Sequence, residues 1–256
     1  SMQADSPDLL IRGAVVITMN PQREILRDAA VAISGQHISH IENYDQLRRR
    51  YPDIRVVGDA TSVVTPGYIN AHQHLTGDRL VRSAIPDTIS SNEAIFGWVV
   101  PIHEQLTAHD DKLSATASLV EAVSNGVTCT VEAGTVAHPH AVLSAFEQVG
   151  ARGTIARWGW DIGDGPQVGT ADEVLFGQRE LVHAVNANPT NKLVHAWVSL
   201  VGHDLMSDEL VVGASQLARD LRTQLTFHMS PHGGDVDAYI KRTGKRPLVH
   251  LHDLGV

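Results

Sequence analysis

Residues 65–74 read TPGYINAHQH and follow a short apolar run at residues 62–64. The pattern predicts a β-strand over residues 63–70 that leads directly into His72 and His74. Side chains alternate between the two faces of a strand, so residues i and i+2 point the same way. We therefore expect both imidazoles to aim at one point, and neutral imidazole is a good ligand for zinc or iron. The stretch predicts half of a metal site.

The composition restricts the classes of protein to which the chain can belong. Its 256 residues are 43% hydrophobic, which favours a globular fold with a sizeable core. The formal net charge of -9 disfavours a protein that binds nucleic acid. The single cysteine, Cys129, lies in the strand-like run VTCTV, so we expect a buried thiol and no intrachain disulfide. Neither a long apolar run nor a signal-peptide pattern is present, and we expect a cytoplasmic protein without a membrane partner.

The chain divides into two predicted domains after residue 61. Residues 1–61 contain three strand-like runs, a tight turn at Ser34 and Gly35, and a short helix over residues 44–51. In residues 62–256 strand-like runs alternate with helical patterns, which predicts βα units around a parallel sheet. The predicted strands cover residues 63–70, 127–132, 152–158, 192–200, 224–228 and 247–251. The predicted helices cover residues 112–124, 138–149, 171–185, 207–221 and 233–242.

Two α/β folds compete for the second domain, a doubly wound sheet and a (β/α)8 barrel. No Gly-x-Gly-x-x-Gly follows the first strand, which disfavours a dinucleotide-binding sheet. Polar residues instead occupy the carboxyl ends of the predicted strands, where a barrel carries its chemistry. They are His72, His74, Glu132, Asp161, His203, His228 and His250. We choose the barrel, and we expect the chain to be the N-terminal portion of a longer enzyme, because six strands do not close an eight-stranded barrel.

Open strand edges have a further consequence for the expected behaviour of this segment. The first and sixth strands of such a barrel would present unpaired backbone groups, which favour aggregation. We therefore expect residues 1–256 not to fold independently. Residues from another chain or from a continuation are expected to fill the gap beside the first strand.

Four motifs together resemble one known family. They are TPGYINAHQH at residues 65–74, NGVTCT at 125–130, TFHMS at 226–230 and LVH at 248–250. In this order and spacing they resemble the amidohydrolase superfamily, in particular its cytosine deaminase-like branch with the triazine hydrolase and guanine deaminase relatives. The resemblance implies a TIM barrel of amidohydrolase type, and it implies that residues 1–61 form part of a small β-sandwich.

The resemblance also implies roles for individual residues. It places one divalent ion, zinc or iron, on His72, His74 and the fifth-strand His228. It makes His250 a catalytic residue on the sixth strand, although His252 competes for that role. It makes His203 a substrate-binding residue, with a plain loop residue as the alternative. The implied partner is a small cyclic substrate, and a homo-oligomer is expected.

One departure from the family pattern concerns proton transfer. Relatives usually carry a glutamate three residues after the fifth-strand histidine, and this chain carries Pro231 there. Proline has no acid or base, so His232 is a possible substitute. A second departure is that the eighth-strand aspartate of the family is not in this sequence.

Several other side chains are candidates for the site or are set aside. Trp98, in the long segment 75–111 that we expect to be a substrate lid, is expected to stack on a planar substrate or to fill the core. Glu132 and Asp161 are pocket walls or helix N-caps. The remaining candidates, interpreted as structural, are His103, His109, His138 and His140.

The favoured function is a metal-dependent hydrolase that acts on a non-peptide C–N bond of a cyclic compound, by deamination. The ion would lower the pKa of a water and make it nucleophilic near neutral pH. Hydrolytic dechlorination and cyclic-amide opening are alternatives within the family. A catalytically inactive relative that binds a small ligand is an alternative from another class, and Pro231 favours it.

Overall fold

A computed structural model describes residues 6–77, 79–165, 167–190, 193–202, 204–230 and 233–256. Proposed site residues His203, Pro231 and His232 lie outside the described residues. The chain forms two compact units, Ser1–Gly67 and Tyr68–Val256. None of the helices in the described ranges has the length and apolar character needed to span a membrane.

The first unit contains one five-stranded sheet in the order β3-β2-β1-β4, with β5 also paired to β1. Its strands β1, β2 and β3 are antiparallel neighbours, whereas β4 and β5 run parallel to β1. Alternating side chains place Leu10, Ala30 and Ala32 on one face, where Leu47 of the helix packs against them. The bounds are β1 Leu9–Ile17, β2 Ile25–Ser34, β3 His37–Asn43, α1 Tyr44–Arg50, β4 Val56–Gly58 and β5 Val63–Val64. The predicted hairpin at Gly35 and the short helix are therefore confirmed.

The prediction of one strand over residues 63–70 is wrong. Val63 and Val64 form β5 and pair with β1, whereas a separate strand, β6, covers Tyr68–Gln73. Pro66 lies between them, and a proline has no backbone N–H to donate to a strand ladder. The interruption assigns β5 to the first unit and makes β6 the first strand of the second.

The second unit is built on parallel strands that follow one another in chain order. One sheet has the order β6-β7-β8-β9, and a second pairs β10 with β11. The strands are β6 Tyr68–Gln73, β7 Val127–Glu132, β8 Arg152–Ile155, β9 Val194–Ala196, β10 Val198–Gly202 and β11 Leu225–His228. The α/β class that we predicted is confirmed.

The fourth predicted strand is broken at Trp197. The Trp197 N–H donates to Ile155 O of β8, and the Val198 N–H donates to Gln224 O next to β11. The chain therefore transfers its pairing from one neighbouring strand to the other within two residues. The break therefore divides the parallel strands into the two sheets.

The helices of the second unit cover the strands. They are α2 Val100–His103, α3 Ala108–Ser124, α4 Pro139–Val149, α5 Ala171–Asn186, α6 Asp208–Asp220, α7 Gly233–Thr243 and α8 Pro247–Leu254. Capping boxes at Thr107 and Thr170 start α3 and α5 and satisfy backbone N–H groups that a helix end leaves free. The fully buried Phe146, Leu200 and Leu210 belong to one core cluster, and each such side chain contributes roughly 1.5–3 kcal/mol.

The predicted sixth strand, residues 247–251, is wrong because this segment is the helix α8. Pro247 occupies its first turn and Gly255 ends it with φ 79°. Leu251 is buried in the core, whereas Leu248 and Val249 are 74% and 51% exposed, so the helix buries only one of these three apolar side chains. The short run LVHL is compatible with a strand in isolation, and the flanking Pro and Gly decide for the helix. The described residues therefore supply five of the six predicted strand positions, with β9 and β10 together at the predicted fourth, because the sixth is this helix.

The segment 75–111 is largely ordered into helical turns. It contains a 3-10 turn at Arg82–Ala84, a π-helix at Glu93–Val99, and α2. Leu75, Val81 and Val100 are buried. This segment therefore contributes packed apolar side chains to the region beyond the ends of the strands.

Candidate metal centre and its cavity

Three histidines from two distant strand ends meet in the second unit. His72 ends β6 together with Gln73, His74 follows it, and His228 ends β11. The Nε2 atoms of His72 and His228 each lie 3.2 Å from Nε2 of His74. The three ring centroids form a nearly equilateral triangle with sides of 5.0, 4.9 and 5.0 Å. The structure thus brings the three residues together.

Hydrogen bonds at the opposite ring nitrogens orient two of these imidazoles. His228 Nδ1 donates to the backbone oxygen of Val201 at 2.8 Å, which leaves its Nε2 with a lone pair. His74 Nδ1 lies 2.7 Å from Thr135 Oγ1. A protein group that bonds the second ring nitrogen fixes the tautomer and the direction of the ligating nitrogen. The two rings therefore present Nε2 toward one point.

This donor set fits one divalent cation. Ligand atoms from all three residues lie within 4.8 Å of one another. Bonds of about 2.0–2.1 Å in tetrahedral geometry separate neighbouring nitrogens by about 3.3 Å, close to the spacing here. Three protein ligands leave a fourth position open, which is typical of catalytic rather than structural zinc sites.

A cavity of about 340 Å³ lies beside these histidines. His74, His228 and Thr135 line one part of it. The rest of the wall is mainly apolar and comes from the segment 75–111 and from strand ends: Val81, Ile85, Ile95, Val99, Val100, Trp158, Trp160 and Val201. The volume suits a small molecule, and its apolar walls would exclude water from a bound ring.

His103 was interpreted from the sequence as structural, and the structure places it in this cavity. It ends α2, is 6% exposed, and lines the cavity together with His74 and His228. Burial lowers the pKa of its imidazole, against a smaller opposing effect of the Asp111 charge. The one signal in the sequence was the apolar run of residues 94–100 directly before it, which indicates a helix face that packs inward.

Glu132 lies at the end of β7 and is fully buried. Its Oε2 accepts a hydrogen bond from the Gly134 N–H at 2.7 Å, whereas Oε1 has no partner in the described part of the chain. Burial raises the pKa of this carboxyl to about 8, although backbone N–H groups including that of Leu75 act in the opposite direction. Glu132 is therefore neutral near pH 7 and holds the turn that carries Thr135.

The remaining predicted residues lie elsewhere. Trp98 is 37% exposed and is not among the described residues that line the cavity. Its neighbours Ile95 and Val99 do line it. Asp161 accepts hydrogen bonds from Ser207 and so supports the N-terminus of α6. His138 pairs with Asp111, its Nδ1 lying 2.8 Å from Oδ2.

The prediction that His250 lies on a sixth strand is wrong, and its catalytic role stays a prediction. His250 lies on α8, where its Nε2 is 2.8 Å from Asp208 Oδ1 and its ring packs edge-on against Tyr239. It is not among the described residues that line the cavity. The helix explains the difference, because it turns the residue toward α6 and not toward the strand ends.

The chain is similar in sequence to known deaminases. It is 26% identical over 256 residues to the 5-methylthioadenosine/S-adenosylhomocysteine deaminase of Thermoanaerobacter pseudethanolicus (strain ATCC 33223 / 39E). The alignment covers 97% of this chain and 55% of that protein. The chain therefore spans little more than half the length of this relative.

Solved structures with the same fold include two zinc-containing proteins. An adenosine deaminase from Xanthomonas campestris with bound zinc superposes with a TM-score of 0.86 at 22% identity, over 98% of this chain and 55% of that chain. An atrazine chlorohydrolase from Arthrobacter aurescens TC1 complexed with zinc gives a TM-score of 0.82 at 24% identity, over 96% and 58%. At these identities the likeness concerns the fold alone.

A sequence profile identifies the family. The profile of the Amidohydrolase family matches residues 63–255, which include all three clustered histidines and every strand of the second unit. Because this match extends over most of the sequence, the chain belongs to the amidohydrolase family.

Proposed function

We propose that the protein of which this chain forms at least a part is a metal-dependent hydrolase that deaminates a small cyclic, nitrogen-containing compound. The observation that carries the proposal is the convergence of three imidazole Nε2 atoms beside a cavity of about 340 Å³. Family membership and the deaminase relatives support the reaction class.

Each part of the site has a defined task in this proposal. His72, His74 and His228 would hold one divalent ion, with zinc the first choice and iron the second. Such an ion supplies Lewis-acid chemistry that activates water near neutral pH. Thr135 and Val201 orient two of the imidazoles. The apolar walls, with Trp158 and Trp160, would position a planar ring and keep bulk water away.

Several structural features belong to the same proposal. The five parallel strand positions would be part of a (β/α)8 barrel, and the five-stranded sheet of the first unit would be part of a β-sandwich. Membership of the amidohydrolase family and the succession of parallel strands with intervening helices support the first. We also propose that the protein is cytoplasmic and forms a homo-oligomer. Light scattering of the full-length protein tests the oligomeric state directly.

Two alternatives share the same metal site. Hydrolytic dechlorination is suggested by the fold of the atrazine chlorohydrolase. A ligand-binding protein without turnover is suggested by Pro231, which stands where the resemblance to the family leads us to expect a glutamate. The released product, ammonia or chloride or neither, separates these alternatives from deamination.

The test uses the full-length protein loaded with zinc. Metal content is measured by mass spectrometry, and ammonia and chloride release are measured on a panel with adenosine, 5-methylthioadenosine and atrazine. We expect about one zinc per chain and ammonia from at least one amino-substituted ring. His228→Ala is expected to lose both metal and turnover, whereas His252→Ala, a change at a side chain that is 88% exposed, is expected to keep both.

Other results would contradict the proposal. Chloride release without ammonia would favour the dechlorinating enzyme. Stoichiometric zinc with tight ligand binding and no turnover would favour the binding protein. Full metal content in His228→Ala would refute the assignment of the three ligands.

A further inference from the structure

We propose that His103 is a catalytic residue that transfers a proton in the cavity, a task for which Pro231 offers no group. The inference rests on the proposed function, because it assigns a residue to the proposed hydrolysis. It starts from the lining of the cavity. Apart from the ligands His74 and His228, the described ionisable lining residues are Arg82 and His103. A guanidinium does not lose its proton in proteins, so His103 is the one of these two that can both accept and release one.

The position of His103 is fixed by packing. Its ring packs against Trp158 at 5.4 Å between centroids with an interplanar angle of 63°. Gly77 separates it from the metal ligands: a Cβ at Gly77 would lie 3.2 Å from His103 Nε2 and 3.7 Å from His74 Cβ. The Nε2 edge of His103 therefore lies one small residue away from the histidine cluster.

His103 does not belong to the metal site itself. The described group of side chains with ligand atoms within 4.8 Å of one another contains His72, His74 and His228 and not His103. A side chain that is close to the cluster and outside its coordination distance is placed to meet the substrate. This separation also makes the two roles independent in an experiment.

The hydrogen bonding of His103 leaves it available for proton transfer. No hydrogen bond joins either of its ring nitrogens to another described residue, although the side chain is 6% exposed. Among the described residues, the charged or titratable groups around it are Asp111 on the neighbouring helix and the cavity residues Arg82, His74 and His228. Burial keeps the imidazole neutral near pH 7, so it can act first as a base and then as an acid.

The proposed step balances in atoms and charge. The oxygen of a water forms a bond to the ring carbon, and one proton of that water moves to a nitrogen of His103. His103 then gives this proton to the departing –NH2 group as the C–N bond breaks. Ammonia leaves, the ring keeps the hydroxyl and tautomerises to the oxo form, and His103 returns to its neutral state.

The test compares two substitutions in the zinc-loaded full-length protein. His103→Gln keeps a polar group near the ring position but cannot carry a proton, and the matched control is His252→Gln on the exposed face of α8. We expect His103→Gln to lower kcat by about 100-fold with KM changed by less than about 3-fold and with unchanged zinc content. We expect His252→Gln to match the wild type.

Two further measurements keep the proposal separate from the proposed function. In the wild type, the acidic limb of the kcat/KM profile is expected to follow the protonation of His103, and in His103→Gln this limb is expected to disappear. The His103 ring resonance, assigned by its loss in His103→Gln, is expected to titrate at a pH below that of a free imidazole in the zinc-loaded protein. This second readout needs no substrate.

Distinct results would overturn the inference. Wild-type turnover in His103→Gln refutes it while the proposed function stands. A His103 ring that stays protonated near neutral pH, or that does not titrate where the rate changes, also refutes it. Should His103→Gln lose zinc, His103→Asn replaces it, and full turnover in that variant refutes the inference. A wild type that releases no ammonia from any substrate would refute the proposed function, whatever His103 does.

Discussion

At the scale of single residues, the orientation of the proposed metal ligands depends on hydrogen bonds to their second ring nitrogens. His74 Nδ1 lies 2.7 Å from Thr135 Oγ1, and Thr135 is 8% exposed. We predict that Thr135→Val lowers zinc affinity by about 10-fold, because the isosteric change removes the hydrogen-bond partner that orients the His74 ring. Competition with a chromogenic chelator measures the affinity. Thr116→Val is the control, since Thr116 Oγ1 bonds a carbonyl within its own helix, Lys112 O.

A second prediction at this scale concerns the buried carboxyl of Glu132 and the pH dependence of stability. Its pKa is about 8 in the folded protein, raised by burial from an ordinary 4.5. Between these values the folded state holds a proton that the unfolded state has lost, so stability falls as pH rises from about 4.5 to about 8 and then levels off. We predict that Glu132→Gln removes this part of the slope. Denaturant unfolding at several pH values measures it, and an unchanged slope would contradict the prediction.

At the scale of elements, a glycine allows β10 to approach β11 beside His228. Gly202 has φ +86°. A Cβ there would overlap the backbone carbonyl oxygen of His228 and lie 2.6 Å from the His228 backbone nitrogen. Gly150, which ends α4 with φ +73°, has open space around the same position. The two glycines share a left-handed backbone and differ in the room around them.

This difference predicts unequal effects of alanine. Gly150→Ala is expected to cost about 1–2 kcal/mol from backbone conformation alone. Gly202→Ala is expected to cost more and also to weaken zinc binding, because β11 must move and His228 moves with it. Thermal unfolding and zinc titration of both variants test this. Equal stability losses with unchanged zinc affinity would show that the close approach has no energetic consequence.

At the scale of the whole molecule, a bound ion would connect distant parts of the second unit. His74 and His228 are 154 residues apart in the chain and 3.2 Å apart at Nε2. A ligand that binds the folded state stabilises it by about 2.7 kcal/mol at a concentration of 100 times its Kd. We predict that zinc raises the unfolding temperature of the full-length protein and that EDTA lowers it. His72→Ala is expected to abolish the zinc effect, and a zinc shift that persists in this variant would contradict the assigned ligands.

The sequence by itself determined the elements whose patterns are long and flanked by clear signals. The helices predicted at residues 112–124, 138–149 and 171–185 and the strand at 127–132 match α3, α4, α5 and β7, because periodicity acts within a few residues of the chain. The first turn of α3, which begins at Ala108, was missed. The His-x-His pair at residues 72–74 was predicted for the same reason, whereas His228 was identified only through the resemblance of residues 226–230 to a known family. Short runs such as residues 247–251 were misread, since four apolar residues suit a strand or a helix equally.

Only the tertiary structure decided which side chains surround the candidate site. His103 is separated by 55 residues from its ring partner Trp158, and its burial depends on how α2 packs on distant strand ends. The pKa of Glu132 likewise depends on being enclosed on all sides, a property that no local pattern contains. The break at Trp197 also depends on remote residues, because the Trp197 N–H bonds Ile155 O and the Val198 N–H bonds Gln224 O. The burial of a side chain and the pairing of a strand both depend on residues that are remote in sequence. For that reason only the tertiary structure determines them.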